Sequence, residues 1–303
     1  MQKHVIRRTG TTLAAMTVMV AAAACQSGSE GGSGGSDRGS GEKGAGERGT
    51  AAVSPISALR GIARKTGEQK TAKVEGTSAM GTAVALSMEG AIGWADGGVT
   101  GTVRMRYTGG TMAENMRKAG VEGAFETRYL RDAYYVNMGD AVTRQTGGRP
   151  WIRYAYADMA KIMGAAGDAV KDQMQNNTPD KGVKSLLASG DVKKVGEEEV
   201  RGVSATHYSG TVDVADLAKK NTGLDAARLE ELQEQLTKAG ITTQKIDIWV
   251  DGNDLLVKKV ESGQMKTGTF NSTVYYSDYG TDASVQAPPA SQSADFADLL
   301  GKR

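Results

Sequence analysis

The segments VALSMEGAIGW (residues 84–94) and VTGTVRMRY (residues 99–107) decide the fold. In the first, Val84, Leu86, Met88, Ile92 and Trp94 share one parity, while Ser87 and Glu89 take the other. In the second, Val99, Val103, Met105 and Tyr107 oppose Thr100, Thr102, Arg104 and Arg106. Between them, Ala95-Asp96-Gly97-Gly98 reads as a hairpin turn. Successive strand side chains point to opposite faces, so this alternation describes antiparallel strands with one dry and one wet face.

The same period continues downstream. Phe125 to Leu130 and Tyr134 to Met138 read as a second hairpin turning at Arg131-Asp132, and Trp151 to Tyr154 extends the sheet. Upstream, Ser54-Pro55 supplies an N-cap and an N1 proline, with Ile56, Leu59 and Ile62 at helical spacing and Gly67 as the stop. The period then changes. Tyr156 to Gln175 and Asp180 to Ala188 read as helices on either side of Asn176-Asn177-Thr178-Pro179. Strands return at Asp191 to Val195 and Val203 to Val214. A helix over Leu224 to Ala239 puts Leu229, Leu232 and Leu236 on one side and Glu230, Glu231, Glu234 and Lys238 on the other. Ile246, Ile248 and Val250 alternate with Lys245 and Asp247, the chain turns at Gly252-Asn253, and Leu255 to Val260 returns. A final strand carries Phe270, Val274 and Tyr276. The fold class is therefore α+β, a curved antiparallel sheet with helices laid against one face.

The N-terminus has a different character. Lys3, Arg7 and Arg8 precede the uncharged, mostly apolar stretch Thr11 to Ala24, the layout of a secretory signal peptide. That stretch is shorter than the ~20 apolar residues needed to span a bilayer core. Ala22-Ala23-Ala24 leads into Cys25, the single cysteine of the chain, and resembles the lipobox of bacterial lipoproteins. The resemblance implies cleavage before Cys25 and acylation of its thiol, so the membrane is the expected partner through those acyl chains. Residues 25–52 form a Gly- and Ser-rich tether with scattered charge, which cannot bury enough apolar surface to order itself. It would place the domain ~25–30 Å from the membrane. The G-x-S-x-G at Gly31-Gly32-Ser33-Gly34-Gly35 lies in this tether and lacks the strand-to-helix turn that such a motif needs. Residues 53–287 read as one folded domain. Residues 288–303, opened by Pro288-Pro289, read as a C-terminal tail, with Asp295 to Leu300 a short helix or frayed end.

Ile246-Asp247-Ile248-Trp249-Val250-Asp251 with Leu255 and Lys258 is similar to a strand pair of LolA-like lipoprotein carriers and of the related LppX/LprG-type lipid-binding lipoproteins. Pro150-Trp151-Ile152, His207-Tyr208-Ser209-Gly210 before Val212-Asp213, and Tyr276-Ser277-Asp278-Tyr279-Gly280 match the same group in the same order. The resemblance implies an incomplete β-barrel around helices, with an apolar cavity for a lipid or lipoprotein cargo at the cell envelope.

The inward strand faces offer Leu86, Met88, Ile92, Val103, Met105 and Val136 as cavity candidates. An open pocket and a closed core share this alternation, and both readings stand. Trp249 has the opposite parity to its neighbours and is either packed or an exposed contact point. His207 is the one histidine that follows the leader and reads as a surface strand residue, which restricts triads and histidine-based metal sites. Asp251, Asn253 and Asp254 are turn chemistry rather than a calcium loop. A formal charge of +2, with bases dispersed among acids, points away from nucleic acid. The chain reads as a non-enzymatic binding protein with no cofactor and no metal. The alternative is an ectodomain for protein interaction or sensing, without lipid cargo.

Overall fold

The computed structural model describes residues 54–95, 98–121, 123–213 and 226–301. The proposed signal peptide, Cys25 and the tether lie outside these residues.

Chain order gives α1 (Pro55–Glu68), β1 (Thr71–Met80), β2 (Val84–Gly93), β3 (Thr100–Gly109), α2 (Gly110–Lys118), β4 (Ala124–Tyr129), β5 (Ala133–Asn137), α3 (Asp140–Gln145) and β6 (Trp151–Ala155). Then follow α4 (Tyr156–Met163), α5 (Ala165–Asn176), α6 (Pro179–Leu187), β7 (Lys193–Val200), β8 (Val203–Asp213), α7 (Ala226–Ala239), β9 (Thr243–Asp251), β10 (Leu256–Met265), β11 (Gly268–Ser277), β12 (Ser293–Asp295) and α8 (Phe296–Gly301). The strands form one 12-stranded sheet in the order β12-β6-β5-β4-β3-β2-β1-β11-β10-β9-β8-β7. The chain enters at mid-sheet and meanders out to β6. It then crosses through α4 to α6 to the far edge and meanders back until β11 pairs with β1. The sheet is antiparallel except for β12, which runs parallel to β6. Residues 293–295 thus complete one sheet edge, beyond Pro288-Pro289, and α8 follows them.

Helix α1 starts as its cap chemistry dictates: the Ser54 hydroxyl accepts from the Ser57 amide at 3.2 Å, and Pro55 fills the first turn. Leu59, Ile62, Ala63 and Thr66 are buried, whereas Ile56 is 42% exposed and lies off the packed stripe. Helices α1 and α6 pack together in the hollow of the sheet, with α6 against β8, β9 and β10. Leu59, Val183 and Leu186 meet Ile246, Ile248 and Leu256 there, all at 0% exposure. Each such side chain contributes about 1.5–3 kcal/mol on burial. A bulge at Leu256/Lys258 frees the Leu256 backbone groups. The Thr66 hydroxyl accepts from its amide at 3.3 Å, and the Tyr279 hydroxyl donates to its carbonyl at 2.5 Å.

The curl of the sheet depends on inward-facing glycine. A Cβ on Gly90 would lie 2.2 Å from the Thr102 carbonyl oxygen, and one on Gly101 the same distance from that of Ala91. Adjacent strands approach closely at this crease because neither residue has a side chain.

The region read as one helix over Tyr156 to Gln175 is two, because Gly164 at φ +58° breaks it. Of the Leu224 to Ala239 helix, residues 226–239 are described, and the side chains of Leu229 and Leu232 lie outside the description.

Candidate functional site

The concave face is filled unequally. The half under β8 to β11 and β1 is packed by α1 and α6. The half under β2 to β6 is covered by α5 and retains a small cavity of about 80 Å³. Of the six candidates read from the sequence, Leu86, Met105 and Val136 line it. Ile92 and Val103 are instead buried in the cluster around α1 and α6, with Met88 packed against that cluster.

The remaining wall is aromatic and sulfur-rich. Tyr107 and Phe125 stack at 5.1 Å, and Tyr134 lies parallel to Tyr154 at 4.7 Å. Tyr134 also meets Tyr129 at 6.3 Å and Tyr156, at the start of α4, at 6.0 Å. Val170 and Met174 of α5 and Met138 at the end of β5 complete the lining. Tyr134 and Met138 share the parity of Val136, so alternation alone could have added them. No sequence pattern signals the α5 contribution. Burial pushes the Tyr107 and Tyr154 hydroxyls up to about 12. Tyr134 is raised further, first by burial and then by the tyrosines around it. These groups stay protonated donors at neutral pH.

The packed half contains a buried ion pair. Lys259 and Glu261, at 4% and 7% exposure, meet at 3.0 Å on the inward face of β10. The Lys259 stem lies against Gly182 of α6, where a Cβ would stand 2.7 Å from its Cδ. Burial opposes the ammonium, but Glu261 outweighs it and holds Lys259 above its ordinary pKa.

The outer face carries a second cluster, and it overturns the reading of His207 as a surface residue. His207 is 9% exposed. Its Nδ1 lies 2.9 Å from Glu198 Oε1, its Nε2 lies 2.9 Å from Asp247 Oδ1, and its ring stacks on Trp249 at 4.2 Å. Trp249 is packed, under the β7–β8 hairpin, and donates to Glu198 Oε2 at 3.1 Å. Lys258 Nζ sits 3.8 Å from the Trp249 ring, a cation–π contact. Hydrogen bonds from Trp249 and then His207 hold the Glu198 carboxyl below its ordinary range. Both imidazole nitrogens are engaged by carboxylates, so neither is free to activate a nucleophile. This cluster pins the edge hairpin to the sheet.

Beside it lies an open groove of about 630 Å³, with Lys73, Glu75, Glu89, Arg104 and Tyr275 in its lining. Arg201, at the hairpin tip, grips Glu75 with two bonds of 2.7 and 2.8 Å and covers the Tyr275 ring at 3.8 Å. At the β9–β10 turn, Asp251 Oδ1 accepts from the Asn253 and Leu255 amides at 2.9 Å, and Asp254 pairs with Lys65. Among the described residues, no group of three or more His, Cys, Asp or Glu is placed to hold a metal. Nor is any described helix long and apolar enough to cross a membrane.

An open antiparallel sheet curled around helices is an incomplete β-barrel, the α+β architecture expected from the sequence. The chain belongs to the same family as "Putative lipoprotein SCO4650" of Streptomyces coelicolor, with 42% identity over 98% of this chain and 97% of that one. A 31.2 kDa protein from the rplA-rplJ intergenic region of Streptomyces griseus is 58% identical over 82% of this chain and 81% of its own. No family model matches the sequence. Among solved structures, LprF from Mycobacterium bovis superposes with a TM-score of 0.45 at 13% identity, covering 77% of this chain and 96% of that chain. Mycobacterium tuberculosis lipoprotein LppX gives 0.43 at 13% identity, covering 76% and 98%.

Proposed function

We propose that this protein is a membrane-anchored lipoprotein, acylated at Cys25 on the extracytoplasmic face. In this reading it is a non-enzymatic carrier that takes an acyl chain or lipidated ligand into the hollow of its half-barrel. The observation that carries the proposal is the cavity under α5, where methionine and aromatic side chains form an adaptable apolar wall. The lipobox and the relative named as a lipoprotein support the anchor. At about 80 Å³ the cavity is well below the ~300–1,000 Å³ of ligand pockets. Entry of a chain therefore requires α5 to swing outward. Gly164, between α4 and α5, is the natural pivot because its φ of +58° suits glycine.

Native mass spectrometry of the full-length protein purified from its own envelope, with organic extraction, tests this. A stoichiometric lipid is expected. A clean mass that stays clean after incubation with envelope lipids overturns the carrier reading. The outer groove would then favour the second reading, an interaction or sensing ectodomain without lipid cargo.

A further inference from the structure

The cavity is apolar in its carbon skeleton but not in all its atoms. Tyr129, Tyr134 and Tyr154 line it, and Tyr156 stands directly behind Tyr134. Tyr156 is 2% exposed and its hydroxyl has no hydrogen-bond partner among the described residues. A buried hydroxyl without a partner carries its full desolvation cost, which native structures rarely accept without a use. The rings come from three strands and one helix and converge on Tyr134. No charged side chain lines the cavity, and Tyr107 and Thr127 are its other polar residues. An anionic headgroup would therefore enter without a counter-charge, at a large desolvation cost.

We infer that Tyr129, Tyr134, Tyr154 and Tyr156 form a donor subsite that selects lipids with uncharged hydrogen-bond acceptors, of which the ester carbonyl is the simplest. This rests on the carrier reading above. Phenols that resist ionisation can only donate to such a group, whereas a pure hydrocarbon leaves them unsatisfied and a carboxylate brings charge without compensation. The apolar wall accepts the chain and the hydroxyls choose its chemistry.

The test uses full-length protein in non-ionic detergent, incubated separately with hexadecane, methyl palmitate and palmitate, and read by native mass spectrometry. One well-formed hydrogen bond is worth about tenfold at most. The wild type is expected to retain methyl palmitate about tenfold better than hexadecane or palmitate. The Y129F/Y134F/Y154F/Y156F variant should hold hexadecane as the wild type does and lose the ester preference, its hexadecane binding showing that it is folded. Equal retention of ester and hydrocarbon, preference for palmitate, or an ester preference that survives in the variant would each overturn the inference while leaving the carrier reading in place. If the wild type retains none of the three probes, the carrier reading fails and takes the subsite with it.

Discussion

Hydrogen-bond accounting makes opposite predictions for one substitution at two tyrosines. Tyr156→Phe removes a hydroxyl that is buried and unpartnered, while leaving the ring that packs at 6.0 Å against Tyr134. Tyr279→Phe removes a hydroxyl that donates to the Leu256 carbonyl at 2.5 Å, within the bulge of β10. An unsatisfied buried polar group costs about 1–3 kcal/mol, and a net hydrogen bond contributes about 1 kcal/mol. Y156F should thus gain about 1–2 kcal/mol and Y279F should lose about 1 kcal/mol or slightly more, a separation of about 2–3 kcal/mol. In a domain of this size each kcal/mol moves Tm by about 2–4 °C. Urea unfolding with matched m-values, checked by thermal melts, measures the difference. Destabilisation of Y156F by as much as Y279F would refute the reasoning, because the Tyr156 hydroxyl would then have a partner in the ligand-free protein.

Four further outcomes are expected. Lys259→Met strands a buried carboxylate and should cost about 3–5 kcal/mol, whereas the K259M/E261L double variant should recover most of it; denaturant unfolding of both decides. Asp247 is pushed up by burial but held below its ordinary range by bonds from Lys245, Ser209 and His207. A depressed carboxyl contributes stability above its unfolded pKa of ~3.9 and loses it as pH falls through the folded value. Asp247→Asn should therefore flatten the acid limb of the stability–pH curve below about pH 4. Gly90→Ala, with its Cβ 2.2 Å from the Thr102 oxygen, should destabilise severely, and intact unfolding midpoints would show the crease to be more pliable than described. Cys25→Ser should abolish incorporation of alkyne-palmitate in labelled cells, and retained label would remove the proposed anchor.

The sheet was legible where both faces follow the rule of alternation. The hairpin from Val84 to Tyr107 and the strands around Ile248 were read from period alone. Strand β1 was not singled out, because its inward face passes through Gly76 and Ser78 at the crease, where small size replaces hydrophobicity. Helices α2 and α3 are too short to show a period. Lys259, Glu261 and His207 look like surface residues in sequence, yet each is buried against a complementary charge from its own or a neighbouring strand. That is a long-range fact which no local pattern carries. The cavity was half legible: Leu86, Met105 and Val136 followed from parity. Met88, Ile92 and Val103 have the same parity but lie under different helices, and helix placement across a sheet is set by the crossover rather than by the strands. The tyrosine convergence spans residues from Tyr129 to Tyr156 and depends on where α4 begins.

The closure between β1 and β11 has a consequence for biogenesis. Lys73 pairs with Ser277, so the two central strands of the finished sheet are separated by roughly 200 residues of chain. A polypeptide threaded N-terminus first across a membrane delivers β1 early, with one edge of the β1–β6 meander exposed until nearly the whole chain has arrived. An exposed edge is a template for pairing with other chains, and contacts of such sequence separation form slowly. In the export proposed for this chain, the half-built sheet is the vulnerable species, and export speed, rather than final stability, would set its yield.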